Sequence, residues 1–114
     1  MRLGIKRIVL LNALPLNAFS EPAFDLSVVR VTPQSFIEEI KNGMEKGVEV
    51  INYIRHPATV SLLNTHGLNL VPSSGLYTYR NGDVLFIVTV KAPVRGTEMQ
   101  VSLSDLDCFI VFVR

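Results

Sequence analysis

Two short apolar runs constrain the fold of this chain more than any other feature of its sequence. RIVLLN (residues 7–12) and CFIVFVR (residues 108–114) carry apolar side chains at successive positions, whereas a half-exposed strand alternates apolar and polar ones. Strands of this kind need cover on both faces, and the last run would aggregate if it formed an open sheet edge. We therefore expect the first strand to lie centrally, and the last to lie centrally or to pair across a subunit interface.

The composition limits the size of the core and the kinds of partner. The 114 residues suit one compact domain, 1–114, because a second domain would bury too little apolar surface to stand alone. Eleven Lys and Arg residues against ten Asp and Glu residues give a formal net charge of +1, so we expect no broad cationic surface for duplex DNA. The apolar content of 48% is high for so small a chain. A partner subunit would cover the excess, which favours a homodimer.

The single cysteine bears on the compartment in which the protein resides. Cys108 stands in the last apolar run and has no cysteine partner in the chain, which indicates a buried thiol in an intracellular, cytoplasmic protein. The N-terminal segment resembles a secretory signal, but Asn12, Pro15 and Asn17 interrupt its apolar stretch, so we interpret it as the first strand. No run approaches the roughly 20 apolar residues of a membrane span, and we expect no membrane partner.

A loop, a strand and a helix follow the first apolar run. Residues 13–25 are rich in Pro, Asn and small side chains, and their length favours a binding loop. LSVVRV (residues 26–31) predicts a second strand. Thr32 before Pro33 then supplies an N-cap hydroxyl and a proline at the first helical position. Apolar side chains recur on one face of this helix before Gly47 ends it, at Phe36, Ile37, Ile40 and Met44.

A second helix follows an extended segment. VEVINYI (residues 48–54) is extended, and the helix covers residues 57–66, closed by Gly67 in a left-handed conformation. With the other runs, these elements predict an α/β fold in which a central mixed β-sheet of about five strands is flanked by helices, in a homodimer.

The dipeptide Asn81-Gly82 predicts a hairpin. It separates GLYTYR from DVLFIVTVK, two runs rich in β-branched and aromatic residues, and it fits a type I′ turn. We therefore expect residues 75–91 to form a β-hairpin.

IRHPATVSLLNTHG (residues 54–67) places one of two histidines directly before a proline that opens a helix. A helix N-terminus has unpaired N–H groups and a partial positive charge, so it attracts phosphate. His56 stands there, beside the permanent charge of Arg55 and the first-turn hydroxyl of Thr59. These three predict a phosphate site with His56 as general acid. A plain N-cap bond to the next turn suits the same position, and His66 suits a structural partner of the last helical carbonyls.

A second group of charged residues lies in KAPVRGTE. Lys91 ends a strand, and Arg95 and Glu98 stand in a loop containing Pro and Gly, where they either contact a ligand or form a solvated loop. Neither histidine has a Cys, His or carboxylate at ligand spacing, so we expect no metal and no cofactor. The sequence contains no phosphate-binding GxxxxGK, no GxSxG elbow, no CxxC and no RNA-binding aromatic motif.

Over nearly its whole length the chain resembles a known family. The first strand ends in Asn-Ala, and INYIRHPATVSLLN contains an Ile, a histidine, small residues, a Thr and a Leu-rich helix in order. A Gly-Asp pair at Gly82 and Asp83, a basic loop ending in Gly96 and an apolar last strand follow. This pattern is similar to that of the small dimeric type III anti-CRISPR ring nucleases of archaeal viruses and phages, which degrade cyclic tetra-adenylate. Arg55 stands where family members usually have Gly.

The resemblance implies an activity and a site. It implies that His56 is the catalytic residue and that Asn12 lies at the ligand pocket between two subunits. A ribose 2′-hydroxyl would attack the adjacent phosphorus to give a 2′,3′-cyclic phosphate, while His56 protonates the departing 5′ oxygen without a metal. Arg55 and Arg95 would replace family cations and Glu98 a family carboxylate, with Thr59 and Lys91 also on the ligand. The setting would be the host cytoplasm, where such an enzyme antagonises type III CRISPR signalling.

Two other functions suit the same sequence. One is a sponge that holds a cyclic nucleotide without cleaving it. The other is a small structural or protein-binding subunit whose exposed apolar strands recruit a partner. An assay with a labelled ring distinguishes the three. The nuclease gives linear products, the sponge binds the ring without products, and the structural subunit does not bind the ring.

Overall fold

The computed structural model describes residues 7–21, 23–73, 75–91 and 102–113. They form one five-stranded sheet, two α-helices and two short 3-10 turns, at Leu16–Ala18 and Leu103–Asp105. In chain order the strands and helices are β1 (Arg7–Leu11), β2 (Leu26–Val31), α1 (Pro33–Glu45), β3 (Glu49–Asn52), α2 (Pro57–Thr65), β4 (Asp83–Val90) and β5 (Leu106–Val113).

The sheet is mixed, with the strand order β2-β5-β4-β1-β3. β1 runs parallel to both of its neighbours, β3 and β4, whereas β5 runs antiparallel to β4 and β2. The two apolar runs therefore become interior strands, since β1 lies between β3 and β4 and β5 lies between β4 and β2. The predicted α/β fold with a mixed five-stranded sheet is confirmed.

Both α-helices pack on the same face of the sheet. Alternating strand residues such as Ile8, Leu10 and Phe86 meet the buried helix residues Phe36 and Ile40 in one core cluster. The residues between them in sequence point to the opposite face, where no α-helix lies in the described chain. Parts of the loop after β1 and of the segment before β4 cover that face. Their side chains and those of the strands form a second core cluster, whose buried members are Val9, Leu11, Ala18, Phe19, Tyr77, Leu85, Ile87 and Val111.

The helices begin and end where the sequence places the signals. The Thr32 hydroxyl accepts a hydrogen bond from the Ser35 backbone N–H at 3.1 Å, and Pro33 opens α1. α2 opens with Pro57, directly after His56. Gly67 follows its last turn with φ +99°, a left-handed conformation that costs glycine no steric strain.

The predicted hairpin at 75–91 is wrong. Residues 76–80 form no strand, and β4 pairs instead with β1 and β5. A turn does occur, closed by the Asp83 N–H and the Arg80 carbonyl at 3.0 Å. Within the described residues only glycines have positive φ, so Gly82 has one and Asn81 does not, which excludes type I′ and fits type II. The chain leaves this turn towards β1, the strand that offers β4 a fully buried partner.

The structure also bears on the expected buried thiol of Cys108 and on the expectation that no segment spans a membrane. Cys108 is 1% exposed, and burial raises the pKa of its thiol to about 12. The described part of the chain has no helix with the length and apolar content to cross a membrane.

Candidate functional site

The candidate residues lie at the carboxyl ends of the parallel strands. Asn12 directly follows β1, and Arg55 and His56 follow β3, whose Asn52 pairs with Leu10 of β1. In open α/β sheets this edge is where ligands bind. Parallel pairing therefore brings Asn12, Arg55 and His56 to one edge of the sheet, as the proposed site requires.

His56 is held by the helix that it precedes. Its Nδ1 lies 2.7 Å from the hydroxyl oxygen of Thr59, which is 2% exposed. The His56 side chain makes no cap hydrogen bond to the backbone of α2, so the plain N-cap interpretation does not describe it. In the imidazolium form, Nδ1–H donates to the Thr59 hydroxyl oxygen and Nε2 carries the second ring proton. Thr59 thus orients the ring and is too buried to offer its hydroxyl to a phosphate.

Arg55 is exposed but fixed. Its two terminal nitrogens, Nη1 and Nη2, donate to the carbonyl oxygens of Ser73 and Gly75, both at 2.7 Å. The Ser73 N–H in turn donates to the Asn52 carbonyl at 3.0 Å. These bonds tie the segment around residues 73 and 75 to the end of β3.

A cleft of about 500 Å³ opens beside this segment, which we call the β1–β3 cleft. Its wall contains the rings of Tyr53 and Tyr77, with centroids 5.5 Å apart and planes at 55°. The exposed amide of Asn12 also lines it, so a predicted binding residue lies in a cavity. The remaining lining residues include Asn17, Arg55 and the apolar side chains Leu14, Leu16 and Leu76.

A second cleft, of about 710 Å³, runs along α2, and we call it the α2 cleft. Arg55 lines this cleft as well, so its guanidinium group belongs to the walls of both. His56 stands in sequence between Arg55 and Pro57, which also lines the α2 cleft. The other lining residues are Ile54, Val60, Ser61, Asn64, Thr65 and Pro72.

A buried ion pair supports the wall of the β1–β3 cleft. Arg7 Nε and Nη2 donate to the two carboxylate oxygens of Asp83, each at 2.7 Å. The Tyr77 hydroxyl and the Arg80 N–H also donate to this carboxylate, at 2.6 and 3.1 Å. The bidentate geometry and the extra donors hold the Tyr77 ring in place.

These contacts shift the ionisation of the group. Burial would raise the pKa of Asp83, but the hydrogen bonds from Arg7, Tyr77 and the Arg80 backbone outweigh it and lower the pKa below its ordinary value. Burial, with the bond to Asp83, raises the pKa of Tyr77. Asp83 is therefore a carboxylate and Tyr77 a neutral phenol at neutral pH.

His56 and Thr59 line neither cleft, and the last three predicted residues lie apart from the clefts or outside the described residues. Lys91 is exposed and stands four residues beyond Ile87, the partner of Leu11. At about 3.3 Å per residue, this is roughly 13 Å further along the sheet. Arg95 and Glu98 lie outside the described residues. Sequence reasoning missed Tyr53, Asn17 and Tyr77. Tyr53 directly follows β3 and Asn17 lies in the loop after β1, which was a usable signal, whereas nothing in the sequence places Tyr77 at this edge.

The described part of the chain contains no group of three or more His, Cys, Asp or Glu side chains arranged to hold a metal ion. The described residues at this edge provide an oriented imidazole, a fixed guanidinium and two open clefts.

The fold is similar to that of a viral protein of known structure. B116 of Sulfolobus turreted icosahedral virus (STIV) matches with a TM-score of 0.76, covering 93% of this chain and 98% of B116, at 20% sequence identity. No protein-family model and no curated protein matches the sequence. At this level of identity the likeness establishes one point: the chain shares its fold with a protein of an archaeal virus.

Proposed function

We propose that this protein is a metal-independent ring nuclease that binds cyclic oligoadenylate, in particular cyclic tetra-adenylate, and cleaves it to linear products. Its biological role would be to antagonise type III CRISPR signalling. The proposal unites the family resemblance of the sequence with a fold shared with an archaeal virus protein.

One observation carries the proposal. The His56 ring is oriented by a buried hydroxyl, at the sheet edge where Arg55 lines two clefts. A histidine held by one ring nitrogen leaves the other available for proton transfer. Arg55 adds positive charge beside it.

The proposed chemistry is the one that the family resemblance implies. A ribose 2′-hydroxyl attacks the adjacent phosphorus and releases its proton to solvent, while the bond from phosphorus to the 5′ oxygen breaks. His56 acts as an imidazolium whose Nδ1–H donates to the Thr59 hydroxyl oxygen; it gives the Nε2 proton to that 5′ oxygen and becomes a neutral imidazole, and the product carries a 2′,3′-cyclic phosphate. Water then restores the proton on Nε2. In a homodimer, one His56 from each subunit would face the ring across the two-fold axis.

The test is incubation with labelled cyclic tetra-adenylate in EDTA. We expect linear products with cyclic phosphate ends from the unchanged protein. His56→Ala should keep ring binding and slow cleavage by about 10²- to 10⁴-fold, the usual contribution of a positioned proton donor. His66→Ala is the matched control, because His66 is exposed at the opposite end of α2. An uncut ring would refute the nuclease, and equal loss in the two variants would remove the role of His56.

A sponge that binds the ring without cleavage is the second candidate. The fixed bonds of Arg55 favour it, since a guanidinium already held by two carbonyls is suited to binding a phosphate rather than to moving with a reaction. Calorimetry with one ring per dimer and no products would select the sponge.

A further inference from the structure

Two clefts share one cation in this structure. The β1–β3 cleft and the α2 cleft have Arg55 as their common lining residue. Their volumes, about 500 and 710 Å³, both fall in the range of small-ligand sites. A guanidinium group between two ligand-sized clefts suits an anionic group with an uncharged body on either side.

The charge of Arg55 is available to such an anion. Its side-chain hydrogen bonds go to the neutral carbonyls of Ser73 and Gly75, and no carboxylate of the described residues pairs with it. Each terminal nitrogen of a guanidinium has a second N–H, and Nε–H adds another donor. The carbonyls therefore hold the group in position while donors and charge remain for a phosphate. This pre-organisation reduces the ordering cost of binding.

The two clefts offer different surfaces. The half-buried Tyr53 gives the β1–β3 cleft an aromatic surface suited to stacking a base, supported from behind by the buried ring of Tyr77, and the exposed amides of Asn12 and Asn17 can bond a base edge. The α2 cleft has the apolar Ile54, Val60 and Pro72 with the exposed Ser61, a surface suited to the adjoining nucleoside.

We propose that each chain binds one dinucleotide step, with the linking phosphate on Arg55, one base in the β1–β3 cleft and the adjoining nucleoside in the α2 cleft. This inference rests on the proposed function and specifies how that ligand is read. His56 lines neither cleft, but it directly follows Arg55 in the chain at the same edge of the sheet. Arg55 acts as a binding residue, and the clefts determine which nucleosides are accepted.

The test uses a probe that cannot be cleaved. The dinucleotide d(ApA) lacks the 2′-hydroxyl that attacks phosphorus, so its binding is independent of catalysis. In calorimetry we expect one d(ApA) per chain, with a Kd at least about 10-fold lower than that of dAMP, since each stacked base and each phosphate contact contributes. Arg55→Ala should raise the Kd of d(ApA) by about 10-fold or more, and high salt should shrink that effect.

Three variants at exposed positions separate the clefts. Ser61→Phe fills the α2 cleft and Asn17→Phe fills the β1–β3 cleft, and each should bring the Kd of d(ApA) close to that of dAMP. Gln34→Phe, on α1 outside both clefts, is the matched control and should leave both affinities unchanged. Thermal unfolding verifies that each variant is folded.

The outcomes separate this inference from the nuclease. Equal Kd values for d(ApA) and dAMP, no binding of either, or unchanged d(ApA) affinity in Ser61→Phe would overturn the two-cleft site even if the ring is cut. Binding of d(ApA) as expected beside an uncut ring would support the two-cleft site and reject the enzyme.

Discussion

Replacing Asp83 with Asn tests the buried ion pair that supports the β1–β3 cleft. Asp83 is 4% exposed and accepts hydrogen bonds from Arg7, the Tyr77 hydroxyl and the Arg80 N–H. An amide group replaces one of the two accepting oxygens with an N–H donor, and it leaves the Arg7 charge buried without a counter-charge. Breaking a buried pair in this way costs about 3–5 kcal/mol. At about 4 °C per kcal/mol for a domain of this size, we expect a fall in Tm of about 12–20 °C.

The matched control is Asp107→Asn, which breaks the exposed ion pair with Arg30. That pair has nearly the same length, 2.8 Å, but its side chains are 66% and 28% exposed. An exposed pair contributes about 1 kcal/mol or less, so the control should lose far less stability. Urea unfolding followed by circular dichroism gives both free energies. Equal losses in the two variants would refute the assignment of stability to burial of the Asp83 pair.

The same pair predicts a pH dependence. The folded-state pKa of Asp83 lies below its unfolded value of about 3.9, so its contribution is complete above that value and is lost as pH falls through the folded pKa. The gap in unfolding free energy between unchanged protein and Asp83→Asn should therefore narrow on acidification from pH 5. A gap that widens in acid would contradict the direction of the shift.

The remaining predictions concern the histidine, a helix end and the thiol. Thr59→Val removes the hydroxyl partner of His56 and should slow ring cleavage about 10-fold with little change in ring affinity, in single-turnover assays; unchanged cleavage would deny the orienting role. Gly67→Ala forces a Cβ into a left-handed conformation and should cost about 1–2 kcal/mol in urea unfolding, whereas no loss would show that the helix end adapts. Cys108 should react with a thiol reagent at pH 8 only when guanidinium unfolds the chain, because it is buried with a raised pKa; rapid native labelling would contradict this.

Local signals predicted most of the fold. The Thr32-Pro33 start, the apolar positions of α1 and the glycine after α2 are each decided within a few residues, and the structure has them as expected. The apolar runs also predicted interior strands, since residues without a polar face need cover on both sides.

The hairpin prediction was wrong because Asn81-Gly82 signals only a local turn, whereas the pairing of β4 depends on strands that are distant in sequence. Gly82 does turn the chain. The carboxylate of Asp83 then accepts hydrogen bonds from Arg7, Tyr77 and Arg80, and the segment before the turn packs on the sheet face. Arg7, the ion-pair partner of Asp83, lies 76 residues away in sequence, so no short-range pattern could predict this contact.

The site was partly predictable for a similar reason. The helix start identified His56, and parallel pairing of β1 with β3 then brought Asn12 to the same edge. The aromatic walls of the β1–β3 cleft depend on how the segment before β4 folds back. Tyr53 and Tyr77 are far apart in sequence, so only the three-dimensional structure could bring them into one cavity.

The strand order has a consequence for biosynthesis. The ribosome makes β1, β2 and β3 first, yet β4 and β5 stand between β1 and β2 in the finished sheet. A nascent chain that has reached α2 contains β3 but still lacks β4, the other neighbour of β1, and β5, which joins β4 to β2, so the sheet closes only after β5 has emerged. Late closure through distant partners slows folding and leaves β1 open to chaperones during translation.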